Sequence, residues 1–187
     1  PAADFVPDPV FVLPWIYRPL GGDPRPGYGG GSNLDHLYRL GQTLGRIHRV
    51  GSARPFQHRL ALDIERMATQ SRLFLEAQVV PADLLPAYSS VARDCEVAVT
   101  ELLATMTAKD FVRLHGDCHC GNILWRDDTP HFVDLDDCIN GPAIQDVWMF
   151  LNGETAQREQ QLSEFVAGYE EFHDFDPRQL HWIEALR

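Results

Sequence analysis

Apolar residues recur at spacings of three and four through Leu34, Leu37, Leu40, Leu44 and Ile47. This pattern predicts an amphipathic helix from Asn33 to about Val50, with Ser32 as its N-cap and Asp35 three residues on. Gly41 and Gly45 lie four apart inside it. Each costs about 1 kcal/mol against alanine in a helix interior, so their presence predicts a neighbouring element packed closely against that face. Further helices are expected over 60–77 and 86–107. The second runs through Val91, Cys95, Val99, Leu102, Leu103 and Met106, which makes Cys95 a small core residue. From Phe111 the pattern shortens to three strands, Phe111–Leu114, Ile123–Trp125 and His131–Val133, with 126–130 as the turn between the last two. Helical periodicity returns over 143–152, closed by Gly153, and again from Thr155 through Leu162, Phe165, Val166 and Tyr169. A last helix opens with Asp176 as cap and Pro177 in its first position, and carries Leu180, Trp182, Ile183 and Leu186.

The first twenty residues differ, with five prolines around short apolar runs that permit one extended strand at most. Gly21–Ser32, GGDPRPGYGGGS, reads as a linker; the phosphate-cradling pattern GxxxxGK[ST] is absent from it. At 187 residues the length suits one domain, and 44% hydrophobic with 23% charged residues is a globular composition. No apolar run approaches the roughly 18 residues of a membrane-spanning helix. A net charge of −11 weighs against nucleic acid or an anionic membrane surface as partner. Four cysteines without CxxC pairing are too few for a disulfide scaffold, and a reducing cytoplasm is the expected compartment. Pro1 is preceded by no initiator methionine, and no targeting segment is recognisable, so a partly represented chain is expected.

Chemistry concentrates in RLHGDCHCGNILW, Arg113–Trp125, and HFVDLDDCINGPAIQD, His131–Asp146. His115, Asp117, Asn122 and Asp134 form the phosphotransfer pattern H-x-D-x-x-x-x-N…D. The loop after the first strand must hold one carboxylate near an acceptor hydroxyl and return an amide oxygen to a metal. A hairpin then carries Asp134 back beside Asn122. Two oxygen ligands from neighbouring strands, completed by water and triphosphate oxygens, suit Mg²⁺. Asp117 is the candidate to orient the hydroxyl and accept its proton. For His115 a structural role, holding the loop, is favoured over proton transfer. Asp127, Asp128, Asp136 and Asp137 read as solvated turn residues.

With these motifs the chain resembles the aminoglycoside phosphotransferase and choline kinase superfamily, whose fold is that of protein kinases. Phe132–Gly153 and the LGRIH run, Leu44–His48, are most similar to its stress-response serine/threonine protein kinases. The resemblance extends over roughly Leu34–Arg187. It implies an α+β, mainly helical, kinase-like large lobe with a small catalytic hairpin, acting on ATP with Mg²⁺. It also implies Asp117 as catalytic aspartate, Asn122 and Asp134 as magnesium ligands, and Asp146 as the anchor of the catalytic loop. Residues 1–20 then correspond to a hinge or last small-lobe strand, placing Trp15 and Tyr17 near adenine; 21–32 is the linker, and 33–187 a large lobe incomplete at its end. Lys109, the sole lysine, stands in the wrong place for the phosphate-holding lysine of that family. A chain lacking the small lobe is expected to be a poor kinase alone.

Rival readings are weaker. Zinc ligation by His115, Cys118, His119, Cys120 and Cys138 is disfavoured, because three of the five are consecutive and cannot readily converge on one tetrahedral ion. Oxidation of Cys118 or Cys120 beside Asp117 is a regulatory alternative. No GxSxG elbow supports a hydrolase. A kinase-like binding module without turnover stands as the non-enzymatic reading. The acceptor is either a protein serine or threonine or the hydroxyl of a small molecule.

Overall fold

A computed structural model describes Asn33–Arg187. Ser32, the linker, and the expected adenine neighbours Trp15 and Tyr17 lie outside the described residues. The chain falls into two compact units. The first takes the chain up to Arg46 with Asp117–Asp136 and Met149–Phe175; the second takes Ile47–Gly116, Asp137–Trp148 and Asp176–Arg187.

In the first unit, helix α1 (Asn33–Gly51, continuing into the second unit) follows its predicted course. Leu37, Leu40 and Leu44 are buried on its apolar stripe. Helix α4 (Thr155–Tyr169) begins with a capping box between Glu154 and Gln157 and buries Phe165 and Tyr169. The two helices touch backbone to backbone. A Cβ on Gly41 would stand 2.0 Å from the Phe165 carbonyl oxygen, and one on Gly168 2.0 Å from that of Tyr38. The Phe165 ring stacks on Phe150 and Tyr169 with centroids 6.3 and 5.7 Å away. Strands β2 (Ile123–Arg126) and β3 (Thr129–Phe132) form an antiparallel hairpin. Its turn is two residues, Asp127 and Asp128, not the five expected. Both have positive φ, 49° and 57°, the geometry whose twist matches the flanking strands. Pro130 is tolerated in β3 because a two-stranded sheet has only edges.

In the second unit, β1 (Phe111–Leu114) pairs antiparallel with β4 (Ile139–Pro142), a strand not anticipated. Val112, Leu114 and Ala143 form a buried cluster with Ile139 against it. Asn140 ties β4 to the preceding loops, accepting from the Phe56 amide at 2.7 Å and donating to the Phe56 carbonyl at 3.2 Å. The backbone groups of Asn140 bond to Leu60 and Leu62, so residues 60–63 are extended, and the helix expected from 60 starts only at Ile64. It runs as a π-helical turn, Glu65–Thr69, into α2 (Gln70–Gln78). Helix α3 (Leu85–Leu103) ends before the predicted 107, where Thr107 caps a 3₁₀ turn with Asp110. Cys95 is exposed, not core: it shares an outward stripe with Val91 and Leu102, while Leu103 faces in. The helix expected over 143–152 is replaced by two 3₁₀ segments, Ala143–Asp146 and Trp148–Phe150. Asp176 caps the final segment as expected, accepting from the Arg178 amide, and a 3₁₀ turn passes into the short α5 (Ile183–Leu186).

Two outcomes follow for stability. Gly168→Ala is expected to cost about 3 kcal/mol by urea unfolding, because backbone must move to admit the methyl group. Alanine at the exposed Ser163 of the same helix is expected to change stability by under about 0.5 kcal/mol. The second concerns Glu96, whose carboxyl the Thr69 hydroxyl and then the Arg72 guanidinium hold below the ordinary glutamate range. A carboxylate depressed on folding contributes stability that is complete above its unfolded pKa and is lost as pH falls through the lower folded value. Glu96→Gln is therefore expected to melt below wild type at neutral pH and to converge with it in acid, as read by thermal melts across pH.

Candidate active site

The residues that carry chemistry follow β1 in the chain. In the second unit, the chain leaves Leu114 through His115 and Gly116. The Asp146 carboxylate, wholly buried, receives both amides: His115 N–H donates to Oδ2 at 2.8 Å and Gly116 N–H to Oδ1 at 2.9 Å. His48, also wholly buried at the end of α1, places Nε2 3.0 Å from Oδ2. A buried carboxylate is tolerable only with such a set of donors. Gly116 is required as glycine, since its φ is +92° and a Cβ would lie 2.1 Å from the Asp137 carbonyl oxygen. The His115 side chain is buried, 3% exposed, so it is poorly placed to meet a substrate directly. No role is read for His48 in the sequence, although it continues the Leu40–Leu44 stripe by one more step of four.

In the first unit, Asp117–Asn122 closes on itself. Asn122 Nδ2 donates to the Asp117 carbonyl at 2.9 Å and to its Oδ2 at 3.1 Å, which turns the Asn122 amide oxygen away from Asp117. The His119 amide donates to the Asp117 carbonyl and the Asn122 amide to the His119 carbonyl, each at 3.0 Å. Cys118 is buried beneath this turn, whereas the Asp117 side chain is 41% exposed. The Val133 amide donates to the Asn122 carbonyl at 3.0 Å, extending the hairpin register by one pair and delivering Asp134 to the same end of the hairpin as Asn122. Asp134 is exposed and adopts a left-handed backbone, φ 61°. An amide oxygen and a carboxylate are hard donors that fit a small divalent cation bound largely through water and phosphate. Among the described residues no three His, Cys, Asp or Glu side chains cluster as a metal cage, the five zinc candidates included.

The phosphotransferase enzyme family matches residues 22–183, and the chain belongs to that family. It is similar to stress response kinase A of Shigella flexneri, 45% identical over 161 residues. It is also similar to the serine/threonine protein kinase RdoA of Salmonella typhimurium (strain LT2), 44% identical over 156 residues. In both cases the match covers 83% of this chain and 47% of the relative, so the chain spans about half the length of the relatives it matches. Among solved structures, amicoumacin kinase hAmiN, in complex with AMP-PNP, Ca²⁺ and Ami, superposes with a TM-score of 0.64 at 20% identity. That match covers 82% of this chain and 48% of the other. The fold is accordingly the mixed helix-and-sheet fold of kinase-like phosphotransferases.

Asp146→Ala is expected to cost about 3 kcal/mol, because it takes a shared acceptor from the His115 and Gly116 amides and from the His48 ring. Asp146→Asn keeps an accepting oxygen and is expected to lose less, the two compared by denaturant unfolding.

Proposed function

We propose that the full-length protein is an ATP-dependent kinase that transfers the γ-phosphoryl group to a hydroxyl, with protein serine or threonine as acceptor. The observation that carries this reading is the closed Asp117–Asn122 turn, with Asn122 donating to Asp117 while Val133 brings Asp134 into register beside it. The naming of its relatives as stress response and serine/threonine kinases supports the acceptor class. Asp117 orients the acceptor hydroxyl and takes its proton as the hydroxyl oxygen bonds to the γ-phosphorus and the bond to the β–γ bridging oxygen breaks, releasing ADP. Asn122 Oδ1 and the Asp134 carboxylate would hold Mg²⁺. When bound, that ion supplies charge neutralisation along the triphosphate. Asp146 and His48 hold the peptide that precedes Asp117, and His115 serves structure. Trp15 and Tyr17, outside the described residues, remain in this reading the candidates for adenine contact. The setting in this reading is a reducing cytoplasm, in keeping with four free cysteines.

A second acceptor class has its own support in the exposed acidic run of Asp134, Asp136 and Asp137, which favours a cationic small molecule. Radiolabel transfer from ATP to a protein substrate pool, set against transfer to an aminoglycoside, separates the two.

Asp117→Asn is expected to lower turnover roughly 1000-fold, since it removes the base and no phosphate contact, while nucleotide binding by calorimetry changes little. Asn122→Ala and Asp134→Ala are each expected to raise the Mg²⁺ concentration for half-maximal rate. Wild-type turnover in Asp117→Asn would overturn the assignment.

A further inference from the structure

We propose that His119 is a positioning residue for Asp117, an inference that rests on the phosphotransferase reading above. His119 opens the 3₁₀ turn Cys120–Asn122, and its Nδ1 accepts the Gly121 amide at 2.9 Å. With Nδ1 occupied as an acceptor, the neutral ring carries its proton on Nε2. That nitrogen stands 3.4 Å from Asp117 Oδ2, the same oxygen that receives Asn122 Nδ2 at 3.1 Å.

Asn122 Nδ2 donates to this oxygen and His119 Nε2 stands near it, the two approaching from opposite ends of the turn. An aspartate side chain has a broad, nearly two-fold torsion about its last bond, and at 41% exposure little packing restrains the Asp117 carboxylate. Donors on Oδ2 set the plane of the group and present Oδ1 to the acceptor hydroxyl. The 3.4 Å separation is long for a hydrogen bond, as catalytic contacts often are before substrate arrives.

Gly121 supplies independent support. A Cβ there would lie 2.4 Å from His119 Cε1 and 2.8 Å from Nδ1, so the turn leaves out a side chain where the imidazole lies. The ring is built into the loop, although 47% of its side chain meets solvent.

The test separates the two ring nitrogens in the full-length kinase. His119→Asn retains an acceptor for the Gly121 amide but withdraws the donor from Asp117; His119→Gln carries a donor to the Nε2 position and gives up the turn cap. The expected result is a fall in kcat of roughly 10- to 100-fold in His119→Ala and His119→Asn, with KM for ATP little changed, and substantial recovery in His119→Gln. Gly121→Ala, which displaces the ring, should resemble His119→Ala in kcat. Backbone amide spectra report whether each variant keeps the fold, and ¹⁵N spectra of the wild-type ring should show the proton on Nε2.

Full activity in His119→Ala, or equal recovery by His119→Asn and His119→Gln, would overturn the positioning role, as would a loss confined to KM for ATP or a proton found on Nδ1. Asp117→Asn, assayed alongside, keeps the two ideas apart. If it is dead while the His119 variants are normal, the kinase reading stands and this inference fails. If it turns over normally, both fail together.

Discussion

A carboxylate with no access to water must find its donors inside the protein, and Asp146 finds three: the amides of His115 and Gly116 and the ring of His48. Each donor removed takes away part of a solvation that the interior cannot otherwise provide. The partners lie 31, 30 and 98 positions away in sequence, so this single group ties the exit of β1, the 3₁₀ turn after β4 and the end of α1. Gly116 adds a steric condition, since only a residue without Cβ can pass the Asp137 carbonyl at that φ. Between them they leave the chain one course out of β1, and the residue that follows is Asp117.

From Asp117 onward the constraint changes in kind. The turn to Asn122 is closed by hydrogen bonds spanning two to five residues, each internal to the loop. Contacts of short span can form with little loss of chain entropy, so the chemistry-bearing turn depends on its own sequence more than on distant packing. Asn122 joins the loop to the hairpin: its side chain closes the loop, its carbonyl accepts the Val133 amide, and its amide oxygen is turned away from Asp117. Alanine at 122 therefore removes loop closure together with a cation ligand, whereas alanine at 134 removes only a carboxylate from an exposed strained position.

This difference in span also governs how much was legible in the sequence. Leu37, Leu40 and Leu44 of the α1 stripe, helix α4 and the Asp176 cap are local patterns and read correctly as structure, whereas Ile47, expected on the same stripe, is exposed and His48 takes the buried position. Strand β4, Ile-Asn-Gly-Pro, has turn composition and becomes a strand because the Asn140 side chain grips Phe56 across 84 positions. The 143–152 segment has helical periodicity, and Ala143, Ile144, Asp146 and Val147 are all buried, but the backbone runs as 3₁₀ turns in which Asp146 accepts the amides of His115 and Gly116 from far upstream, a contact of long span that periodicity does not record. For Cys95 the apolar period was real, but it belonged to the outward stripe of α3, and periodicity alone does not say which face meets the core.

Backbone strain separates the aspartates that are solvated from the one proposed to work. Among the described residues, three other than glycine have positive φ: Asp127, Asp128 and Asp134. The first two occupy the hairpin turn, whose twist demands that conformation, so their cost of roughly 1–2 kcal/mol each is offset by the ladder they close. Asp134 closes no such turn. It follows directly on the Val133–Asn122 bond, and glycine would meet the same backbone demand with less strain. A carboxylate held there against that preference is aimed by the backbone and not by side-chain packing, because the side chain is exposed. Strain of this kind persists where the surrounding hydrogen bonds over-determine the conformation, and here the hairpin register supplies them. The strained backbone supports the proposed role of Asp134 as a ligand beside Asn122 and gives none to Asp127 or Asp128, although all three share residue type, exposure and sign of φ.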